Sequence, residues 1–345
     1  MPQPVEGNPC LWTPGIKYGV RPGSFTHMTE FFGPVLGVMR FDRLADAIAL
    51  VNQTGYGLTS GIESLDEREW TEWSARIHAG NLYINRVTTG AVVLRQPFGG
   101  MGKSCFGPGM KAGGPNYVAQ FMDFDDAAGA AAPAAPPAAL RSPTLAALAT
   151  ALRAGSGPDD ARCLAALASY EQAQAAEFAV EHDHFRLVGQ DNLRRYQPVG
   201  SVRVRVHADD SAFELFARAA AAHVAGCRVT VSVPPGLGPS AVARLEAATD
   251  SWAGAIEFVE ESDAQLAEAI AAGQVDRVRY ARPARATDEV LRAANAANGC
   301  VVAVPVSGEG RLELLWYLRE QSLSIDYHRY GNLGIRADEP RAEVS

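Results

Sequence analysis

The stretch with the greatest chemical potential is residues 85–116, NRVTTGAVVLRQPFGGMGKSCFGPGMKAGGPN. Glycines recur through it among Pro, Thr and Lys with neither a helical nor an alternating pattern, which predicts a loop. Val87, Val92, Val93, Leu94, Phe98 and Phe106 sit among the glycines, so the loop is packed against something rather than disordered. Glycine permits φ > 0 and close approach of backbone to a ligand, and the expected product is a wall of amide groups around a pocket. Upstream, residues 29–38 read TEFFGPVLGV and bring Glu30 close to Phe32. A carboxylate is acceptor-only and suits a vicinal diol, and an aromatic face suits a flat heterocycle. Taken by themselves, the same two residues describe a solvated strand-end charge and a core aromatic.

Other reactive side chains are scattered. Cys10, Cys105, Cys163, Cys227 and Cys300 are odd in number and widely spaced with no CxxC pair, which predicts free thiols in a reducing compartment. His182 and His184, in EHDHF, are two candidate metal ligands near a helix end, too few to specify a site, and no metal is expected. The net charge of -8 and a pI near 5.4 argue against nucleic-acid binding, which needs clustered Lys and Arg. No apolar run approaches the roughly 20 residues that span a bilayer, and MPQPVEGNPC lacks the charged and apolar regions of a signal peptide. A cytoplasmic protein without a membrane span is expected.

The elements that position these groups alternate as α/β. Residues 35–41 fit a buried strand. Residues 42–52 fit a helix with Asp42 as N-cap and Gly55 as its stop, followed by a strand at 58–62, a helix at 66–78 and a strand at 81–85. Nothing amphipathic precedes Thr29, so a longer functional protein is expected, of which this chain is a piece. Residues 117–124 alternate as a strand. Residues 125–143 are almost entirely Ala and Pro, a semi-rigid linker. Helices follow at 145–153 and 159–181. Strands at 202–206, 228–233, 256–259, 278–280 and 301–304 then alternate with helices, which predicts a parallel, doubly wound sheet. Its first strand runs into His207-Ala208-Asp209-Asp210 with no GxGxxG to bring amides onto a pyrophosphate. The division expected is 1–124, a linker at 125–143, a helical connector at 144–184, a second domain at 185–335 and a tail at 336–345.

TTGAVVLRQPFGG, GPGMKAGGPNY and TEFFGPV, in that register, resemble the C-terminal end of the aldehyde dehydrogenase superfamily. The branch most similar is L-glutamate γ-semialdehyde (Δ1-pyrroline-5-carboxylate) dehydrogenase, including the corresponding domain of bifunctional proline-utilisation enzymes. The resemblance covers residues 5–124 densely. It implies that Glu30 hydrogen-bonds the nicotinamide ribose of NAD, that Phe32 packs beside the nicotinamide end, that Gly90 and Ala91 anchor the α-carboxylate of L-glutamate γ-semialdehyde, and that Phe98 lines the aldehyde pocket. The family places its cysteine nucleophile and general base upstream of TEFFGPV, so no catalytic residue is expected in this chain. Cys10, Cys105 and Cys300 are then structural or incidental, and Lys103 is a solvated loop lysine rather than an anion contact. Residues 117–124 match an oligomerisation flap, which pairs with another subunit or with an extra C-terminal domain.

The second half resembles the dehydrogenase-fold C-terminal domain of the long proline-utilisation enzymes, a copy of the fold without cofactor chemistry. Ser232 and Val233 stand where active members place a lysine, and 280–283, Tyr-Ala-Arg-Pro, stands in place of a Gly-Ser phosphate loop. Residues 319–334, REQSLSIDYHRYGNLG, match the terminal motif of that domain, expected as a lid over the active-site region. The fold class expected is therefore α/β, the C-terminal portion of an aldehyde dehydrogenase catalytic domain followed by a second Rossmann-like doubly wound domain. NAD is the cofactor, the semialdehyde the substrate, and a missing N-terminal dehydrogenase half the partner, with a homo-oligomer possible. The alternative is a non-catalytic truncated or split chain that serves as a scaffold or pairs with a separate N-terminal chain.

Overall fold

The computed structural model describes residues 2–124, 140–238, 240–252, 254–328 and 330–341. Most of the expected Ala/Pro linker, at 125–139, and the end of the tail, at 342–345, lie outside the described residues.

One sheet has five strands, all parallel, in the order Ile256–Glu260, Arg228–Val233, Ser201–Arg205, Arg277–Tyr280, Cys300–Ala303. This is the doubly wound sheet expected, with strand ends within about two residues of those read from sequence. Its inner strands bury Val202, Val204, Val229 and Val231 on one face and Arg205, Thr230 and Ser232 on the other, as in a sheet covered on both faces. The helices on it start where their caps dictate. Ser211 and Glu214 form a capping box at Ala212–Val224, and Ser262 and Gln265 form another at Asp263–Ala271.

A second sheet joins both ends of the chain. Its order is Thr59–Ile62, Asn81–Ile84, Leu318–Asp326, Gln190–Pro198. The first three strands are parallel, with Asn81 beside Ser322 and Ile84 beside Ile325, and the last pair is antiparallel over nine residues. Helices Leu44–Gln53 and Glu67–Arg76 cover one face, packing Ile48, Trp73 and Ile77 onto Leu82, Ile84 and Leu323. Neither Gln190–Pro198 nor Leu318–Asp326 is legible as a strand. Glu320, Gln321, Ser322 and Ser324 are buried but polar, so the hydrophobic alternation that signals a strand is missing. The segment expected as a lid thus begins as an interior strand.

Other expectations are corrected. The strand in 35–41 is only Val35–Gly37, parallel to Gly15–Lys17, and Leu36 and Phe41 are exposed rather than buried. Asp42 does not cap the helix that follows: Arg43 is the N-cap residue, makes no side-chain cap bond, and pairs with Asp46 instead. Residues 117–124 are not a strand. Tyr117–Phe121 is a 3-10 helix, and the Asn116 side chain before it donates to Tyr196 and Glu320, both at 2.7 Å. Among the described residues no helix is long and apolar enough to cross a membrane.

Candidate active site

The glycine-rich loop leaves the buried strand Asn81–Ile84 through Asn85, whose left-handed φ of 57° turns the chain and whose Oδ1 accepts the Ser64 N–H at 2.9 Å. The next turn is held from beneath. Arg86 Nη2 donates to the Thr89 carbonyl at 3.3 Å, and the Tyr83 hydroxyl donates to the Gly90 carbonyl at 3.0 Å. In a trans peptide the N–H points opposite to the C=O. With both carbonyls drawn inward, the N–H groups of Gly90 and Ala91 face the other way, and neither donates to any group among the described residues. Gly90 cannot be replaced without strain: its φ is 129°, and a Cβ would lie 2.5 Å from Gln96 Oε1. Gln96 is itself fixed, donating to Asn192 Oδ1 at 2.9 Å and to Ser324 Oγ at 3.0 Å. Gly90 and Ala91 therefore present two unpaired N–H groups on the outer side of the turn, among the described residues.

Phe98 lies further along the same loop, half-buried, tied by paired backbone bonds to Ala112 of 2.9 and 3.1 Å. The next residue, Gly99, is held by Lys111, which sequence reading passed over. Lys111 is buried, and its Nζ donates to Asn81 Oδ1 and to the Gly99 carbonyl, both at 2.7 Å. Burial pushes its pKa down to about 7, against the pull of Glu320. Glu320, on the Leu318–Asp326 strand, accepts the Lys111 backbone N–H at 2.7 Å, and its own pKa is raised by burial. The sequence signal was a second lysine, after Lys103, among close-packing glycines.

Glu30 and Phe32 line a separate cavity of about 390 Å³ with Thr29, Phe31, Gly33 and Val35. Glu30 is exposed and makes no side-chain hydrogen bond among the described residues, and Phe32 is 94% exposed with a left-handed φ of 52°. A free carboxylate beside an open aromatic face fits a ribose diol and a planar ring. None of Gly90, Ala91 and Phe98 lines this cavity. Lys103 caps a helix end instead of meeting an anion, donating to the Thr54 carbonyl at 2.9 Å over the Tyr56 ring.

The remaining candidates are quiet. All five cysteines are free, and burial raises the thiol pKa of Cys105, of Cys227 to about 11 and of Cys163 to about 12, the opposite of nucleophile activation. His182 and His184 stack at 6.4 Å, and no group of three or more metal-ligating residues occurs among the described residues. After the first strand of the parallel sheet, where a dinucleotide fold would offer free amides, Asp210 binds Arg218 and Arg285, and Glu214 binds Arg282.

Residues 2–126 match the profile of the aldehyde dehydrogenase family. Proline utilization A (PutA) from Corynebacterium freiburgense shares the fold at a TM-score of 0.73 and 33% identity, over 96% of this chain and 29% of that one. The bifunctional protein PutA of Rhizobium meliloti is 51% identical over 98 residues, 27% of this chain and 8% of that protein. The 1-pyrroline-5-carboxylate dehydrogenase of Staphylococcus haemolyticus is 37% identical over 110 residues, 32% of this chain and 21% of that protein. The chain spans less than a third of each of these relatives.

Proposed function

We propose that this chain, an aldehyde dehydrogenase homologue through residues 2–126, is the C-terminal part of an NAD-dependent dehydrogenase that oxidises L-glutamate γ-semialdehyde to L-glutamate in proline catabolism. The observation that carries this reading is the pair of unengaged consecutive N–H groups at Gly90 and Ala91, an arrangement that suits a carboxylate. Their carbonyls are fixed, so the cradle is formed before a ligand arrives and little ordering is lost on binding. In this reading Phe98 lines the side of the pocket that receives the aldehyde, held by Ala112 and by the Lys111 bond to Gly99. Glu30 accepts hydrogen bonds from the nicotinamide ribose and Phe32 covers the nicotinamide. NAD, when bound, accepts the hydride. Nucleophile and base come from a preceding dehydrogenase half, and residues 1–124 complete that catalytic domain. The unit at 185–335 contributes two strands to its sheet, and a cytoplasmic setting and possible homo-oligomer belong to the same reading.

A non-catalytic scaffold or split partner is the second reading, favoured by the raised thiol pKa values of Cys105, Cys163 and Cys227. The test is the intact mass of the native product from its own cells, followed by its NAD-dependent oxidation of the semialdehyde. A mass well above 36.7 kDa with activity supports the dehydrogenase. A mass equal to this chain, inactive even when mixed with a preceding dehydrogenase half, leaves the scaffold.

A further inference from the structure

We infer that Arg86 makes the Gly90–Ala91 turn selective for an anion over a neutral group of the same shape; the inference rests on reading that turn as a carboxylate anchor. Sequence assigned the turn no cation. The structure places one directly behind it, with Arg86 Nη2 3.5 Å from the point where a Gly90 Cβ would stand.

Arg86 is under-compensated. Its side chain is only 12% exposed, yet its ion pair among the described residues, to Asp326 Oδ1, is stretched to 3.9 Å. That oxygen also accepts a hydrogen bond from Gln190 Nε2 at 2.6 Å. Arg86 Nε and Nη1 are buried with no hydrogen-bond partner, and the guanidinium lies 5.5 Å from the centre of the Tyr83 ring. A largely buried guanidinium with a loose carboxylate partner carries a desolvation cost that a second nearby negative charge reduces. Such a charge fits on the open side of the turn, facing the two free N–H groups. Because Nε and Nη1 are enclosed, Arg86 acts through the turn and not by direct contact, so it is a positioning residue. It does so in two ways: its bond to Thr89 aims the Gly90 N–H outward, and its field favours an anion there.

The test follows the amide resonances of Gly90 and Ala91 in this chain during titration with L-glutamate and, separately, with L-isoglutamine, its α-amide, which keeps the shape but carries a neutral group in place of the α-carboxylate. In the wild type, L-glutamate shifts both resonances and L-isoglutamine binds far more weakly. Arg86→Gln weakens L-glutamate about tenfold and L-isoglutamine much less, whereas Arg86→Lys keeps most of the preference. Asp326→Asn, which removes the competing carboxylate and leaves Arg86 in place, tightens L-glutamate severalfold. A purely structural role would weaken both ligands alike in Arg86→Gln and would not be rescued by lysine. If the wild type shifts both amides and Arg86→Gln binds L-glutamate unchanged, the role of Arg86 is overturned and the anchor stands. If L-glutamate leaves both amides unmoved in the wild type, anchor and inference fall together. Should Arg86→Gln not fold, the absence of tightening in Asp326→Asn overturns the inference.

Discussion

Lys111 Nζ lies 2.7 Å from Asn81 Oδ1, and this contact joins the glycine-rich loop to an inner strand of the mixed sheet. Asn81 also donates to the Leu58 carbonyl at 2.6 Å, so one amide and one amine fix the loop, the strand and the edge strand together. Lys111→Met removes the shortest donor to both Asn81 Oδ1 and the Gly99 carbonyl, leaving the former only the Gly99 N–H at 3.5 Å and the latter only the Asn81 amide at 3.1 Å. A loss of about 1–3 kcal/mol in urea unfolding at pH 9 is expected.

The same lysine sets a pH dependence. Its folded pKa, about 7, is depressed below the unfolded value of 10.5, so between these values the unfolded chain binds more protons. Stability from this group therefore rises with pH from about 7 to about 10.5, by at most about 1.4 kcal/mol per pH unit. Glu320 acts in the opposite sense: its raised pKa means that stability falls as pH rises from its unfolded value of 4.5 through the folded one. Wild type and Lys111→Met compared in urea between pH 7 and 9 should show the rise in the former alone.

Gly90→Ala should destabilise the loop by about 1–3 kcal/mol, since the positive φ and the Gln96 Oε1 contact both oppose a methyl group. Gln96 cannot swing away without abandoning Asn192 and Ser324. Thermal unfolding gives the stability change, and titration of L-glutamate against the Ala91 amide should show loss of binding.

Glu30→Ala should leave thermal stability within about 0.5 kcal/mol of wild type, because the side chain is exposed and unbonded. In the complete dehydrogenase the same change should weaken NAD about tenfold or more by fluorescence titration, through loss of charge-assisted bonds to the ribose. Unchanged affinity would remove Glu30 from the cofactor site.

Arg279 and Glu313 form a fully buried ion pair at 3.0 Å, and Glu313 also accepts from the Tyr317 hydroxyl and the Ser307 N–H. Arg279→Met leaves a buried carboxylate with no cation and should cost about 3–5 kcal/mol in urea unfolding. The pair ties the Arg277–Tyr280 strand to the Gly310–Glu313 helix, so the loss should appear as unfolding of the parallel sheet.

The sequence by itself determined the parallel sheet at residues 201–303. Val202 and Val204, and Val229 and Val231, recur at every second position, the period of a strand, and helical stretches separate each such run from the next. It also marked residues 85–116 as a packed, glycine-rich loop, and Gly90 sits in it at a positive φ against a neighbouring side chain, where glycine is the residue that fits. Tertiary structure alone decided the rest. Leu318–Asp326 is a strand because Asn81–Ile84 and Gln190–Pro198 stand on either side to take its backbone bonds, while its polar side chains bond to the loop: Ser322 to the Pro97 carbonyl and Ser324 to Gln96. Lys111 and Glu320 are more than 200 residues apart in sequence, and Arg86 and Asp326 likewise. No local pattern encodes such pairs. Their protonation and charge balance depend on burial, and burial exists only once both ends of the chain have entered one sheet.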